Sequence, residues 1–128
     1  MILDTTFMID MLKGVPAAVE KAYELDKTNA PILTTTITVF ELWQGVHDAH
    51  QNERERVLEL LGAYGLHNLD FESAQKAGEI FDKLCKHGLE IDTEDCMIAG
   101  IAITRNEAVL TRNVEHFSRI GGLRIEKY

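Results

Sequence analysis

Five short runs of apolar or β-branched residues recur along this chain, and helical stretches separate them. The runs are Met1–Leu3, Ile32–Thr35, Leu66–Leu69, Ala108–Thr111 and Leu123–Ile125. Between them, helical spacing predicts Thr5–Leu12 (stopped at Gly14), Pro16–Lys27, Val39–Val46, Asn52–Gly62, Phe71–His87, Thr93–Thr104 and the short Val114–Ile120. Strands that alternate with helices imply a mostly parallel sheet covered on both faces. Over Ile32–Thr38 the β-branched run favours an extended strand by propensity; the spacing turns helical from Val39. The chain has no internal repeat, no low-complexity segment and no Pro/Gly-rich linker, so residues 1–128 read as a single domain.

The stretch "DTEDCMIAGIAI" sharpens this picture. Glu90, Asp92, Glu94 and Asp95 stand immediately before a run without charge, Cys96–Ile103. A helix that is apolar all round is a buried one, and Ala99, Gly100 and Ala102 let it lie close to a neighbouring layer. Its acidic entrance therefore sits at the edge of the core. Asp4 follows the first strand, Glu41 opens the helix after the second, Asp92 and Asp95 open the apolar helix, and Asn113 follows the fourth strand. In a parallel sheet, strand C-termini and helix N-termini share one edge, where ligands bind.

Each acid has a plainer explanation on its own. Asp4 fits an N-cap, Asp92-x-x-Asp95 fits a cap with an acidic first turn, and Thr38-x-x-Glu41 fits a capping box. Glu90 and Glu94 read as solvated. Caps sit at polar surfaces, however, whereas Asp4 follows "MIL" and Glu41 lies among Val39, Phe40, Leu42 and Trp43. A carboxylate in apolar company must be hydrogen-bonded, protonated or paired with a cation. Convergent acids repel one another, a divalent ion relieves that repulsion, and oxygen ligands favour Mg2+ or Mn2+.

Other chemistries find little support. His47 and His50 read as an exposed pair and His116 as a surface or supporting residue, while Phe40, Trp43 and Phe117 read as core or interface residues. Ser73 and Ser118 lack the partners of a nucleophile, no Gly-rich phosphate loop occurs, and "DTT" at 4–6 lacks the second Asp of an aspartyl-phosphate phosphatase. Cys85 and Cys96 are not spaced as a redox or zinc motif and suit a reduced, cytoplasmic chain. No run is long enough to span a membrane, and the N-terminus lacks the basic leader of a signal peptide. The net charge of −8 opposes broad electrostatic binding to nucleic acid and suits a basic partner or a bound cation.

"ILDTTFMID", "TVFELWQG", "DTEDCMIAGIAI" and "VLTRNVEHFSRIGGLRIEKY", in that order, resemble a PIN domain of the VapC type, the toxin half of VapBC toxin–antitoxin systems. The resemblance covers essentially the whole chain. It implies an α/β/α sandwich around a parallel sheet and a Mg2+-dependent endoribonuclease, with Mn2+ as a substitute. By the same resemblance Asp4, Glu41 and Asp95 are the acidic metal ligands, with Asp92 assisting. Asn113 stands where many PIN domains carry a fourth Asp. Lys13, Arg112 and Arg119 are candidates for phosphate contact, with Arg112 equally an ion-pair partner. The implied partners are RNA, a second copy of the chain, and a VapB-like antitoxin whose Arg could take the cation's place. Leu42, Trp43, Val46 or the 52–62 helix are candidates for those contacts. The competing readings are a PIN fold that only docks a partner, and a metal-dependent nuclease or phosphatase with another substrate.

Overall fold

Ile2 and Leu3 are adjacent, fully buried, and belong to different hydrophobic clusters. So do Val109 and Leu110. Successive strand residues point to opposite faces, so a sheet covered on both sides needs two apolar neighbours in a row. The computed structural model, which describes all 128 residues, contains such a sheet. Its strands are β1 (Ile2–Leu3), β2 (Leu33–Thr35), β3 (Gly65–His67), β4 (Ala108–Leu110) and β5 (Arg124–Glu126). Their order is β3-β2-β1-β4-β5, every neighbouring pair is parallel, and Ile2 is in register with both Leu33 and Val109.

Seven helices complete an α/β/α sandwich: α1 (Thr5–Lys13), α2 (Pro16–Asp26), α3 (Thr36–Val46), α4 (Gln51–Gly62), α5 (Phe71–Lys86), α6 (Thr93–Thr104) and α7 (Val114–Ser118). Phe7, Met8, Ala18, Leu25, Val57 and Leu61 pack α1, α2 and α4 on one face. On the other face Ile80, Leu84, Ile98, Ile101 and Phe117 pack α5, α6 and α7. As expected, α6 is buried all round from Ile98 to Ala102. A Cβ built on Gly100 would lie 2.5 Å from the Ser73 carbonyl oxygen and 2.9 Å from the Ala77 nitrogen. Glycine is therefore what permits the close α5–α6 approach. No helix is long and apolar enough to cross a membrane.

Several local expectations are corrected. The second strand stops at Thr35, and α3 begins at Thr36 rather than Val39. Its cap is Thr35, whose hydroxyl accepts from the Thr38 amide at 3.1 Å, so Thr38 and Glu41 form no capping box. A side-chain cap and burial on α3 override the β-propensity of "TTTIT". Helical spacing on α5 predicts Ala74, Ala77, Phe81 and Leu84 on the inner face, whereas the buried residues are Ser73, Ala77, Ile80 and Leu84, leaving Phe81 exposed. Leu58 of α4 and Tyr23 of α2 are likewise exposed, whereas Leu42 is 6% exposed and closed to any partner.

Candidate active site

The chain leaves β1 for one half of the sheet and returns through β4 to the other half. The C-terminal ends of β1 and β4 thus flank the point where strand order reverses, the usual crevice of a parallel sheet. Asp4 lies there, directly after β1, and its amide extends the ladder by donating to Leu110 O at 3.0 Å. Its side chain is 1% exposed and does cap α1. The donors all converge on one oxygen: Asp4 Oδ2 accepts from Thr6 Oγ1 at 2.7 Å, Thr111 Oγ1 at 2.8 Å and the Thr6 amide at 3.4 Å. Oδ1 receives no hydrogen bond.

Glu41 and Asp95 repeat this arrangement. Glu41 Oε1 accepts from Thr5 Oγ1 at 2.7 Å, and that hydroxyl lies 3.0 Å from Thr38 Oγ1. Asp95 Oδ2 accepts from Asn113 Nδ2 at 3.2 Å and lies 3.1 Å from His116 Nδ1. Neither Glu41 Oε2 nor Asp95 Oδ1 receives a hydrogen bond. Each of the three acids is tethered by one oxygen and keeps the other unengaged.

Burial pushes the Glu41 carboxyl up to about 7, reinforced by the charges of Asp4, Asp95 and Glu94 and opposed by the Thr5 hydrogen bond. Burial likewise raises Asp95 to about 6, with Asp4 and Asp92 adding repulsion and His116 opposing it. Acids from three separate elements therefore act on one another. Glu94, expected to be solvated, is half-buried and within that field. Asp92 stands at the N-cap of α6 but makes no capping hydrogen bond, which leaves its carboxylate uncommitted. Ligand atoms of Asp92, Asp95 and His116 lie within 4.8 Å of one another.

The supporting shell is mostly threonine. Thr111 donates to Asp4 and accepts from the Asn113 amide at 2.9 Å, coupling the two strand ends. Thr6 Oγ1, which donates to Asp4, accepts from the Arg112 amide at 3.2 Å. Asn113 Nδ2 is 2.8 Å from His116 Nδ1 as well as bonded to Asp95. Asn113, His116 and Asp95 thus form one polar cluster at the start of α7. Sequence reasoning passed over Thr5, Thr6, Thr38 and Thr111 and gave His116 only a peripheral role. Their one signal was the clustering of threonine at strand ends, in "DTT", "TTTIT" and "LTRN".

The basic candidates stand apart. Arg112 Nη1 pairs with buried Asp10 at 2.8 Å. Arg119 donates to the Glu90 carbonyl at 3.0 Å and to Glu115 at 3.1 Å. Lys13 is the last residue of α1, about 13 Å along that helix from Asp4 at 1.5 Å per residue.

The oxygen-rich donor set, its mutual repulsion and its unengaged atoms fit a hard divalent cation. Residues 1–123 match the PIN domain family. The tRNA(fMet)-specific endonuclease VapC of Shigella flexneri is 31% identical over 128 residues, spanning 98% of this chain and 96% of that protein. The VapC subunit fold recurs in VapBC2 from Rickettsia felis, solved bound to a promoter DNA fragment, with a TM-score of 0.89, 25% identity, and coverage of 99% of this chain and 97% of that one. DNA-bound VapBC from Salmonella typhimurium gives a TM-score of 0.87 at 28% identity, over 98% of this chain and 96% of that one. With its acids gathered at the strand ends where a parallel sheet binds ligands, the chain belongs to the PIN-domain family, within its VapC group.

Proposed function

We propose that this chain is a divalent-cation-dependent endoribonuclease and the toxin half of a toxin–antitoxin pair. The observation that carries the reading is the tethering of Asp4, Glu41 and Asp95 by one oxygen each, with the second oxygen left without a donor. These three differ from one-oxygen pairs on the surface in being buried or half-buried, where an ionised carboxylate needs a cation or a proton at the atom left over. Mg2+ is the expected ion and Mn2+ its substitute; once bound, it supplies positive charge to a phosphodiester and acidity to a water molecule.

The remaining work belongs to side chains. Asp4 and Asp95 would hold the cation, with Asp92 completing the set. Thr6, Thr111 and Asn113 keep those carboxylates from rotating, so little order must be gained when substrate arrives. Glu41, tethered by Thr5 at Oε1, would present Oε2 to orient the attacking water. His116 and Asn113 stand where a further acid would add charge; they contribute polarity without more repulsion.

Relatives named tRNA(fMet)-specific endonucleases make initiator tRNA the first substrate to test. The antitoxin partner follows from the toxin–antitoxin complexes whose toxin subunits share this fold. Phe40 and Trp43 project from α3, 53% and 37% exposed, and suit contact with that partner or with a second copy. Asp4→Asn and Asp95→Asn should each lower RNA cleavage by at least about 100-fold, the scale of losing one electrostatic contact to a reacting centre. Circular dichroism should remain that of the parent. Full cleavage by a folded Asp95→Asn protein would refute the assignment.

A further inference from the structure

A groove of about 490 Å3 lies on the α5–α6–α7 side of the sheet, and none of the acids at the strand ends lines it. Its floor is apolar: Ile80, Leu84, Ile103 and Ile120, with Leu89 at the rim. Its polar lining is basic. Lys76, Lys83 and Arg119 line it with one carboxylate, Glu79, and Arg119 also pairs with the exposed Glu115 at 3.1 Å, in a chain whose net charge is −8. Lys83 has no ion-pair partner, and Lys76 has only the exposed Glu79 three residues on, at 2.9 Å. Such exposed pairs are worth little and exchange readily for another anion.

Two further features narrow the ligand. His87 also lines the groove, and its Nδ1 donates to the Lys83 carbonyl at 2.7 Å, which pins an exposed imidazole ring in place. The groove also adjoins the candidate active site. Arg119 follows α7 directly, and the residue that precedes α7, Asn113, donates to Asp95. Arg119 also donates to the carbonyl of Glu90, two residues before Asp92. A strand leaving the acids thus meets Arg119 about 9 Å along α7 and then the α5 lysines.

We infer that this groove is an extended binding track for single-stranded RNA, resting on the ribonuclease reading above. Lys76, Lys83 and Arg119 take backbone phosphates, and His87 and the apolar floor take an unstacked base. Charge complementarity with a polyanion, and continuity with the acidic centre, argue for RNA over an apolar peptide. The track gives an anionic substrate a local excess of positive charge within an acidic chain, with Lys76, Lys83 and Arg119 lining it beside Glu79.

The test uses the full chain carrying Lys76→Gln and Lys83→Glu, with Lys27→Glu on the opposite side of the sheet as the charge control. The probes are a fluorescein-labelled mixed-sequence 20-nucleotide RNA, a tetranucleotide too short to span α7, and a 12-residue polyglutamate. In EDTA the double variant should bind the long RNA about tenfold more weakly, with a salt slope shallower by about 1.4. With Mn2+ its kcat/KM should fall about tenfold on long RNA, through KM, and stay within about twofold of wild type on the tetranucleotide. The inference is overturned by unchanged long-RNA binding, by equal losses on both RNAs, by an equal effect of Lys27→Glu, or by polyglutamate displacing the RNA at lower concentration. If the wild-type chain cuts neither RNA, the ribonuclease reading fails, while binding in EDTA still judges the groove.

Discussion

At the scale of single residues, the acids are costly in the absence of a cation, and the cost has a definite pH dependence. Glu41 moves from its ordinary 4.5 to about 7 and Asp95 from 3.8 to about 6, chiefly through burial. Both bind protons more tightly folded than unfolded. The stabilisation they give is complete below about pH 4 and is lost as pH rises through about 6 and then about 7. The metal-free protein should therefore melt at progressively lower temperature between about pH 5 and pH 8, and Glu41→Gln should flatten that decline. Mn2+ should raise the melting temperature more at the upper end, where the ligands are ionised. Differential scanning calorimetry at both ends checks the sign; a metal-free melting temperature that climbs across the interval would contradict it. The placement of Asp4 and Glu41 was legible in the sequence because acids in apolar company demand an explanation, and that of Asp92, Asp95 and Asn113 because strand ends and helix starts share one edge of a parallel sheet. The threonine hydroxyls were not. A threonine is equally at home in a strand or a cap, and only the tertiary fold brings Thr111 to Asp4, 107 residues away.

The elements were legible wherever period and breaker agreed. The apolar helix reads directly from "CMIAGIAI", and α6 spans Thr93–Thr104 as expected. Where two signals competed, the boundary slipped: at Thr36–Thr38 β-propensity pointed one way, while the Thr35 cap and burial of Thr38 and Leu42 pointed the other. Helix faces slipped by one residue on α5 because Phe81 is apolar yet lies off the buried stripe, and Ser73 is polar yet fully buried against its own cap. The α5–α6 contact makes a prediction of its own. Gly100→Ala would gain about 1 kcal/mol of helix propensity. It would also drive a methyl group into the Ser73 carbonyl, 2.5 Å from where the Cβ must stand. Backbone cannot yield as a side-chain tip can, so overpacking should win, with net destabilisation of about 1–2 kcal/mol. Urea titration of the purified variant measures it, and a gain in stability would show that the helices separate at little cost.

Across the whole molecule, the ends of the chain close around the site. Asp10 is 1% exposed and is held from two directions, by Arg112 at 2.8 Å and by the Tyr128 hydroxyl at 2.7 Å. The Tyr128 ring stacks edge-on against Phe7 with centroids 4.9 Å apart. Tyr128→Phe keeps that ring but removes a donor from a buried carboxylate, so it should cost about 1–3 kcal/mol. Since Arg112 also donates its amide to Thr6, activity should fall with stability; thermal melts and cleavage assays on one preparation test both. The strand order has one more consequence. The first strand made occupies the middle of the sheet, and its second neighbour, β4, is made more than a hundred residues later. A polypeptide still emerging from the ribosome holds Asp4 long before Asp95, Thr111 and Asn113 exist to join it. Domains of this size fold as units, so the acidic centre stays unassembled during synthesis until β4 and the turn behind it have left the ribosome.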